Sequence, residues 1–251
     1  MHSKSIILAL GLLSAELVAG HATVVGVTGD AGGVTGMGLG VSPNVNRKSQ
    51  IPTQPSSSPN NPEADTTVFG HGDAAAAGCG KTALGGAMKD TASIMQAVSN
   101  MMSMAGGLPQ VNSGGTLTVT MHQVNADGAP TYKADIDTTG TGNGFTPINV
   151  ISGGQGAPGI LGDQGLSFNI GQLPANNTVQ IQMPTGGCTG AAPDGSSNSM
   201  LMNNAAAGGF GSCMAVSMAG GSSTGTATNT SNRRHARDTI KAREVFLNWV
   251  E

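Results

Sequence analysis

Charge is what this sequence has least of: only 10% of its 251 residues are Asp, Glu, Lys or Arg. A soluble helical bundle needs polar faces rich in those residues, so that architecture is excluded. Positive charge in particular is missing. The formal net charge is -3, which is not the basic footprint of a nucleic-acid binder. Aromatic residues make up 3%, with one Trp, one Tyr and five Phe. That leaves little for the exposed aromatic platforms that often grip a flat crystalline polysaccharide. The three cysteines contain no C-x-x-C pair, which excludes a thioredoxin motif and a thiolate zinc cluster. The one long apolar run is at the N-terminus and is too short to span a bilayer, so no transmembrane anchor is expected. No Ser nucleophile sits in a G-x-S-x-G elbow, the string GSSTG at 221–225 lying in the low-complexity linker. GCGKT lacks phosphate-loop spacing, and Asp127 with Asp135 or Asp137 is no recognisable glycosidase pair.

What is abundant is glycine, 40 residues without a G-x-y period, so the chain is not collagen-like. Residues 1–20 read as a secretory signal peptide: Lys4 in the n-region, Ile6 to Leu13 as the apolar core, and Val18-Ala19-Gly20 before the cut. Cleavage after Gly20 makes His21 the mature N-terminus, whereas cleavage after Ala19 leaves Gly20 there. A secreted, extracellular chain sees an oxidising compartment. Cys79, Cys188 and Cys213 then allow one disulfide and one odd thiol, with the pairing open. Asn176-Asn177-Thr178 and Asn229-Thr230-Ser231 are glycosylation acceptors.

Runs of β-branched residues punctuated by Gly and Pro predict short strands near 21–33, 37–41, 65–70, 117–124, 131–136, 145–151, 166–171, 178–182 and 213–218. Residues 42–64 predict a long surface loop offering a contact surface. Residues 74–86 predict a tight loop into a short helix, and 188–212 a mostly loop segment. The helix-favouring stretch is 87–105, whose methionines read as packing residues. The fold class is therefore all-β, a β-sandwich with long glycine-rich loops and one short helical insertion. It is expected over 21–219 as a monomer, with 220–251 a flexible linker and a basic tail. That tail holds five of the eleven Lys/Arg residues, and the body from 21 to 232 carries ten acids against five Lys/Arg.

Removing the leader leaves His21, His71 and His122 as the histidines of the body. An N-terminal histidine offers its α-amine and Nδ1 in one chelate ring. Nε2 of a strand histidine such as His122 would complete a T-shaped three-nitrogen set suited to copper. His71, near Asp73, is a weaker third ligand. Spacing alone favours the bland reading: His21 as an ordinary first residue, and His122 exposed on its strand or packed on Tyr132.

The segments HATVVGVTGDAGG, DTTVF with GCGKT, LTVTMHQVNADGAPTY, LPANNTVQIQMPTGGCTG and NNAAAGGFGSC together resemble the Egh16-like virulence factor family, HQVNADG being the most specific. The resemblance covers most of 21–218. It implies a secreted fungal protein of appressoria linked to virulence. That family in turn resembles lytic polysaccharide monooxygenases in its N-terminal histidine and in a strand histidine followed by a Gly/Pro turn and a tyrosine. This second resemblance implies an immunoglobulin-like sandwich and a copper-binding histidine brace of His21 and His122. It also implies Phe210 or Tyr132 at the axial position, and Gln123 as a donor near bound oxygen. Fungal or host cell-wall polysaccharide would be the substrate. The chain departs from the family at Asp127-Gly128-Ala129-Pro130-Thr131-Tyr132, where DGAGPY is usual, and at Gly208 to Cys213, where GPFGGC is usual. It also lacks a further cysteine pair around Asn198 to Met202. The alternative function is a non-catalytic effector that binds the wall or a host surface without metal chemistry.

Overall fold

The clearest strand pattern sits in TLTVTMHQ, where Leu117, Val119 and Met121 are buried and the threonines between them are half-buried. A period of two puts successive side chains on opposite faces, so one face of this strand is apolar and looks inward. In a computed structural model that describes residues 22–48, 55, 57–69, 78–124, 132–152, 175–193, 197–205 and 210–220, this strand is the seventh of fourteen. In chain order they are β1 (Ala22–Gly29), β2 (Gly32–Gly36), β3 (Thr67–Val68), β4 (Lys81–Thr82), β5 (Gly86–Ala87), helix α1 (Thr91–Ala105), β6 (Pro109–Val111) and β7 (Thr116–Gln123). They continue with β8 (Lys133–Asp137), β9 (Thr146–Ile148), β10 (Val150–Ser152), β11 (Ala175–Gln182), β12 (Gly190–Ala191), β13 (Ser197–Ala205) and β14 (Phe210–Met218).

The strands form one hydrogen-bonded path, β10-β11-β7-β1-β2-β6-β14-β13-β8-β9. Every neighbouring pair is antiparallel except β6 with β14. The two ends of the path, β10 and β9, are separated in the chain only by Asn149, whose carbonyl accepts from Gln182 N–H at 3.0 Å. The strand at 146–152 therefore leaves one layer and enters the other at a corner. The folded sheet encloses one core, with Val24, Val119, Met121 and Ile181 facing Ile136, Met214 and Val216. Burying side chains of this size stabilises the fold by about 1.5–3 kcal/mol each. A second core lies on the other face of β14, where Cys213 and Ala215 meet Met37, Leu39, Phe69 and α1.

Helix α1 starts where Asp90 accepts from Ser93 N–H at 2.8 Å while Ser93 reaches back to Asp90 N–H, a reciprocal cap. It ends at Gly106, whose φ of 82° closes the last turn. Ile94, Val98 and Met101 form its buried face. The helix thus begins at 91, because the cap stops what propensity alone extends back to 87.

Several expectations are corrected. Residues 37–41 are not a strand; the second strand is β2, and Met37 to Val41 cross between layers, Gly38 N–H donating to Val24 C=O and Leu39 N–H to Cys213 C=O. Residues 81–87 make the small antiparallel pair β4–β5 instead of a helix, while 74–77 lie outside the described residues. The segment 188–212 is not mostly loop: β13 lies between β14 and β8 and pairs with both. Its sequence SNSMLMNNA has no alternation, and flanking strands supply its order. Residues 145–151 divide into β9 and β10 at the corner. The strand expected at 166–171, the leader and the basic tail all lie outside the described residues. Among those residues no helix is long and apolar enough to cross a membrane.

Candidate functional site

The site is built where β7 ends between β1 and β11. Registers Thr23↔His122 and His122↔Asn176 place three side chains in one row across three strands. Directly opposed residues share a face, so His122 and Asn176 meet. His122 Nδ1 lies 2.8 Å from Asn176 Oδ1. A carboxamide oxygen only accepts, so Nδ1 carries the proton and donates, and Nε2 is left with its lone pair. That Nε2 is buried and has no hydrogen-bond partner among the described residues. The whole residue is 7% exposed. Leaving a buried polar atom unsatisfied costs about 1–3 kcal/mol, so a histidine used only for packing would spend both nitrogens.

Burial lowers the His122 pKa from its ordinary value. The Asn176 bond and the Asp65 carboxylate oppose that shift, and the Arg47 guanidinium adds to it. The Arg47 backbone also favours the cation, although no acceptor meets hydrogen-bond geometry at Nε2. The net effect keeps the imidazole neutral, the form that ligates metals.

Beside this row lies a buried ion pair. Arg47 forks onto Asp65, with Nη1 donating to Oδ1 at 2.9 Å and Nη2 to Oδ2. Their side chains are 9% and 0% exposed. Asp65 Oδ2 also accepts from Ser42 N–H at 2.9 Å, and Arg47 donates to the Ser42 carbonyl. The segment expected as a long surface loop, 42–64, is anchored at both ends, with Val45, Asn61 and Ala64 buried. Thr23 Oγ1 joins the cluster through the Asp65 carbonyl at 3.3 Å and Ser212 Oγ at 3.1 Å. Ser212 Oγ accepts from Val24 N–H at 3.0 Å. Glycine is required at 38, because a Cβ there would come within 2.5 Å of Ser212 Cβ.

Gln123 and Tyr132 are brought together, but on the other face of β7. Asn177 Nδ2 donates to Gln123 Oε1 at 3.2 Å and to Tyr132 Oη at 3.4 Å. Gln123 is 0% and Tyr132 3% exposed, and Tyr132 belongs to the core between the layers. Burial pushes the Tyr132 pKa up to about 12, against the Asn177 bond, which lowers it. His122 and Gln123 are consecutive in the strand, so their side chains leave opposite faces. Phe210 opens β14 opposite Val68 and is half-buried. His21 is one peptide bond before Ala22, the partner of Gln123, and lies outside the described residues together with His71. Among the described residues no three of His, Cys, Asp and Glu group into a metal site. Cys79 and Cys213 form the disulfide, and Cys188 remains a buried thiol whose pKa burial raises.

Sequence reasoning did not single out Asn176 as a partner of His122, nor Arg47 and Asp65 as a pair. The signal available was rarity: the body has five Lys/Arg residues, and Arg47 stands in its longest polar loop.

The chain is similar to known proteins along most of its length. A family model described as Egh16-like virulence factor matches residues 19–211. The appressoria-specific virulence factor GAS1 of Pyricularia oryzae is 32% identical over 262 aligned residues, covering 100% of this chain and 90% of that protein. The appressoria-specific virulence factor GAS2 of the same organism is 36% identical over 112 residues, covering 43% of this chain and 37% of that protein. No solved structure matches the chain.

Proposed function

The chain belongs to the Egh16-like virulence factor family, and on that premise we propose that it is a secreted, extracellular virulence-associated protein of the appressorium. We further propose that it acts by binding cell-wall polysaccharide or host surface without metal chemistry. The observation that carries this reading is the full-length similarity to a virulence factor named for appressoria. The leader at 1–20 supports export, and the Cys79–Cys213 disulfide suits an oxidising compartment. In this reading residues 21–219 form the secreted domain, with the folded sheet serving as an immunoglobulin-like sandwich and 220–251 as its tail. The experiment expresses the full chain in a filamentous fungus, recovers it from the medium, and incubates it with insoluble chitin, cellulose and host cuticle. Retention inside the cells, or no sedimentation with any of the three, would overturn the reading.

A second reading is favoured by one observation, the buried and unpartnered Nε2 of His122. The residues fit copper in that a neutral imidazole nitrogen is left over and its partner nitrogen is tied down. His21, through its amine and Nδ1, and His122, through Nε2, would hold the ion. Copper bound there would supply one-electron redox chemistry for oxidation of a wall polysaccharide. This chain's part would be to hold the imidazole neutral by burial and to orient it through Asn176. Tyr132 and Gln123, on the inner face, would support the sheet beneath the site. N-terminal sequencing of the secreted protein and copper titration of wild type against H122A test this second reading. A mature chain that does not start at His21, or an unchanged copper affinity in H122A, would refute it.

A further inference from the structure

We infer that Asn176 is a positioning residue for His122: its carboxamide oxygen takes the Nδ1 proton in a hydrogen bond and so presents Nε2 as an unprotonated ligand nitrogen. The metal part of this inference rests on the copper reading above; the tautomer part does not.

Neutral imidazole carries its proton on either nitrogen, and the partner of one nitrogen sets the state of the other. In His122 three observations agree. Asn176 stands directly opposite on β11, so the strand register sets the pairing. The Nδ1–Oδ1 separation of 2.8 Å is a full-strength hydrogen bond. The remaining nitrogen is buried, in a side chain more than nine-tenths buried, and no described group satisfies it. With the proton on Nε2 instead, that buried donor would have only the Arg47 backbone nearby, outside hydrogen-bond geometry, and Asn176 Oδ1 would face a lone pair. The observed arrangement avoids both. The nearby charges act on the ring in opposite senses, Arg47 against the cation and Asp65 for it. A hydrogen-bonded outer partner of this kind characteristically fixes ring orientation at metal-binding histidines.

Asn176 also heads the Asn176-Asn177-Thr178 acceptor triplet. A glycan attached through Nδ2 would leave Oδ1 able to accept, so the two roles are compatible. The test must nevertheless separate them, and T178V removes the acceptor triplet while keeping Asn176.

The decisive measurement is the tautomer of His122 in the metal-free, full-length secreted protein. Long-range proton–nitrogen NMR with labelled histidine reads it, and the signals are assigned by their loss in H122A. Wild type and T178V are expected in the Nδ1-protonated state at pH 7.5. N176D, which keeps an acceptor oxygen, is expected to keep the proton on Nδ1, its added charge also favouring the imidazolium. N176A, which has none, is expected to shift toward the Nε2-protonated state. Wild-type protonation at Nε2, or an N176A spectrum identical to wild type, would overturn the positioning role. Circular dichroism and thermal unfolding of N176A guard against misfolding, and N176D is the second variant if N176A fails to fold. Copper titration forms the second arm, with affinity expected to fall by about 10- to 100-fold in N176A and to persist in N176D and T178V. If H122A binds copper as wild type does, the copper reading fails while the tautomer result still decides the role of Asn176.

Discussion

Tyr132 is the only tyrosine in the chain, so its ionisation can be read without assignment. Burial in the core between the layers pushes its pKa from 10.0 up to about 12. Below pH 10 the phenol is neutral in both folded and unfolded chains and has no effect on the balance between them. Between pH 10 and 12 the unfolded chain loses its proton while the folded chain keeps it, so stability falls as pH rises. At about 1.4 kcal/mol per unit, the loss over that window approaches about 2–3 kcal/mol and then levels off. The assay has two parts. Tyrosinate absorbance of the native protein should show half-ionisation near pH 12. Urea unfolding from pH 8.5 to 11.5 should show a decline in wild type that is shallower in Y132F. Y132F also loses the bond to Asn177, a pH-independent offset of about 1 kcal/mol that the slope comparison removes. Wild type and Y132F differ only at this phenol, so contributions common to both cancel in the comparison. Native half-ionisation near pH 10 would refute the reasoning, because Tyr132 would then be solvated and its place on the inner face would be wrong.

Asp65→Ala should strand the buried Arg47 guanidinium and cost about 3–5 kcal/mol in urea unfolding. A double variant that replaces both partners with apolar residues should recover much of that loss; a single variant as stable as wild type would remove the anchor from the account. Without reductant, the native protein should expose no fast-reacting thiol, and denatured protein should expose one per chain, from Cys188. C213S, which opens a link spanning 134 residues, should lose about 2–5 kcal/mol. Gly29→Ala would set a Cβ 1.9 Å from the Gln110 carbonyl oxygen, so β1 or β6 must move. Thermal unfolding should show a cost of at least about 1–3 kcal/mol. An unchanged midpoint would mean the strands sit further apart than described.

How legible a segment was depended on whether its pattern was local. TLTVTMHQ alternates within itself, so β7 was readable to within a residue or two. The helix was readable apart from its start, which depends on the Asp90–Ser93 cap. SNSMLMNNA carries no internal signal: β13 is a strand because β8 and β14 supply hydrogen bonds on both sides. The same limit applies to the site. Gly20/His21 and His122 could be picked out by residue type and order, but Asn176 lies 54 positions from His122. The Arg47–Asp65 pair spans a loop whose composition suggested only exposure.

The sequence by itself determined the class of protein: scarce charge and plentiful glycine point to a looped β protein, and the motifs point to the family. Which face each residue serves was decided only by tertiary structure. His122 and Gln123 are adjacent in the chain, yet the strand pleat sends one toward Asn176 and the Arg47–Asp65 pair and the other toward Tyr132. A period of two tells that neighbours diverge, and only the register with β1 and β11 tells what each of them meets.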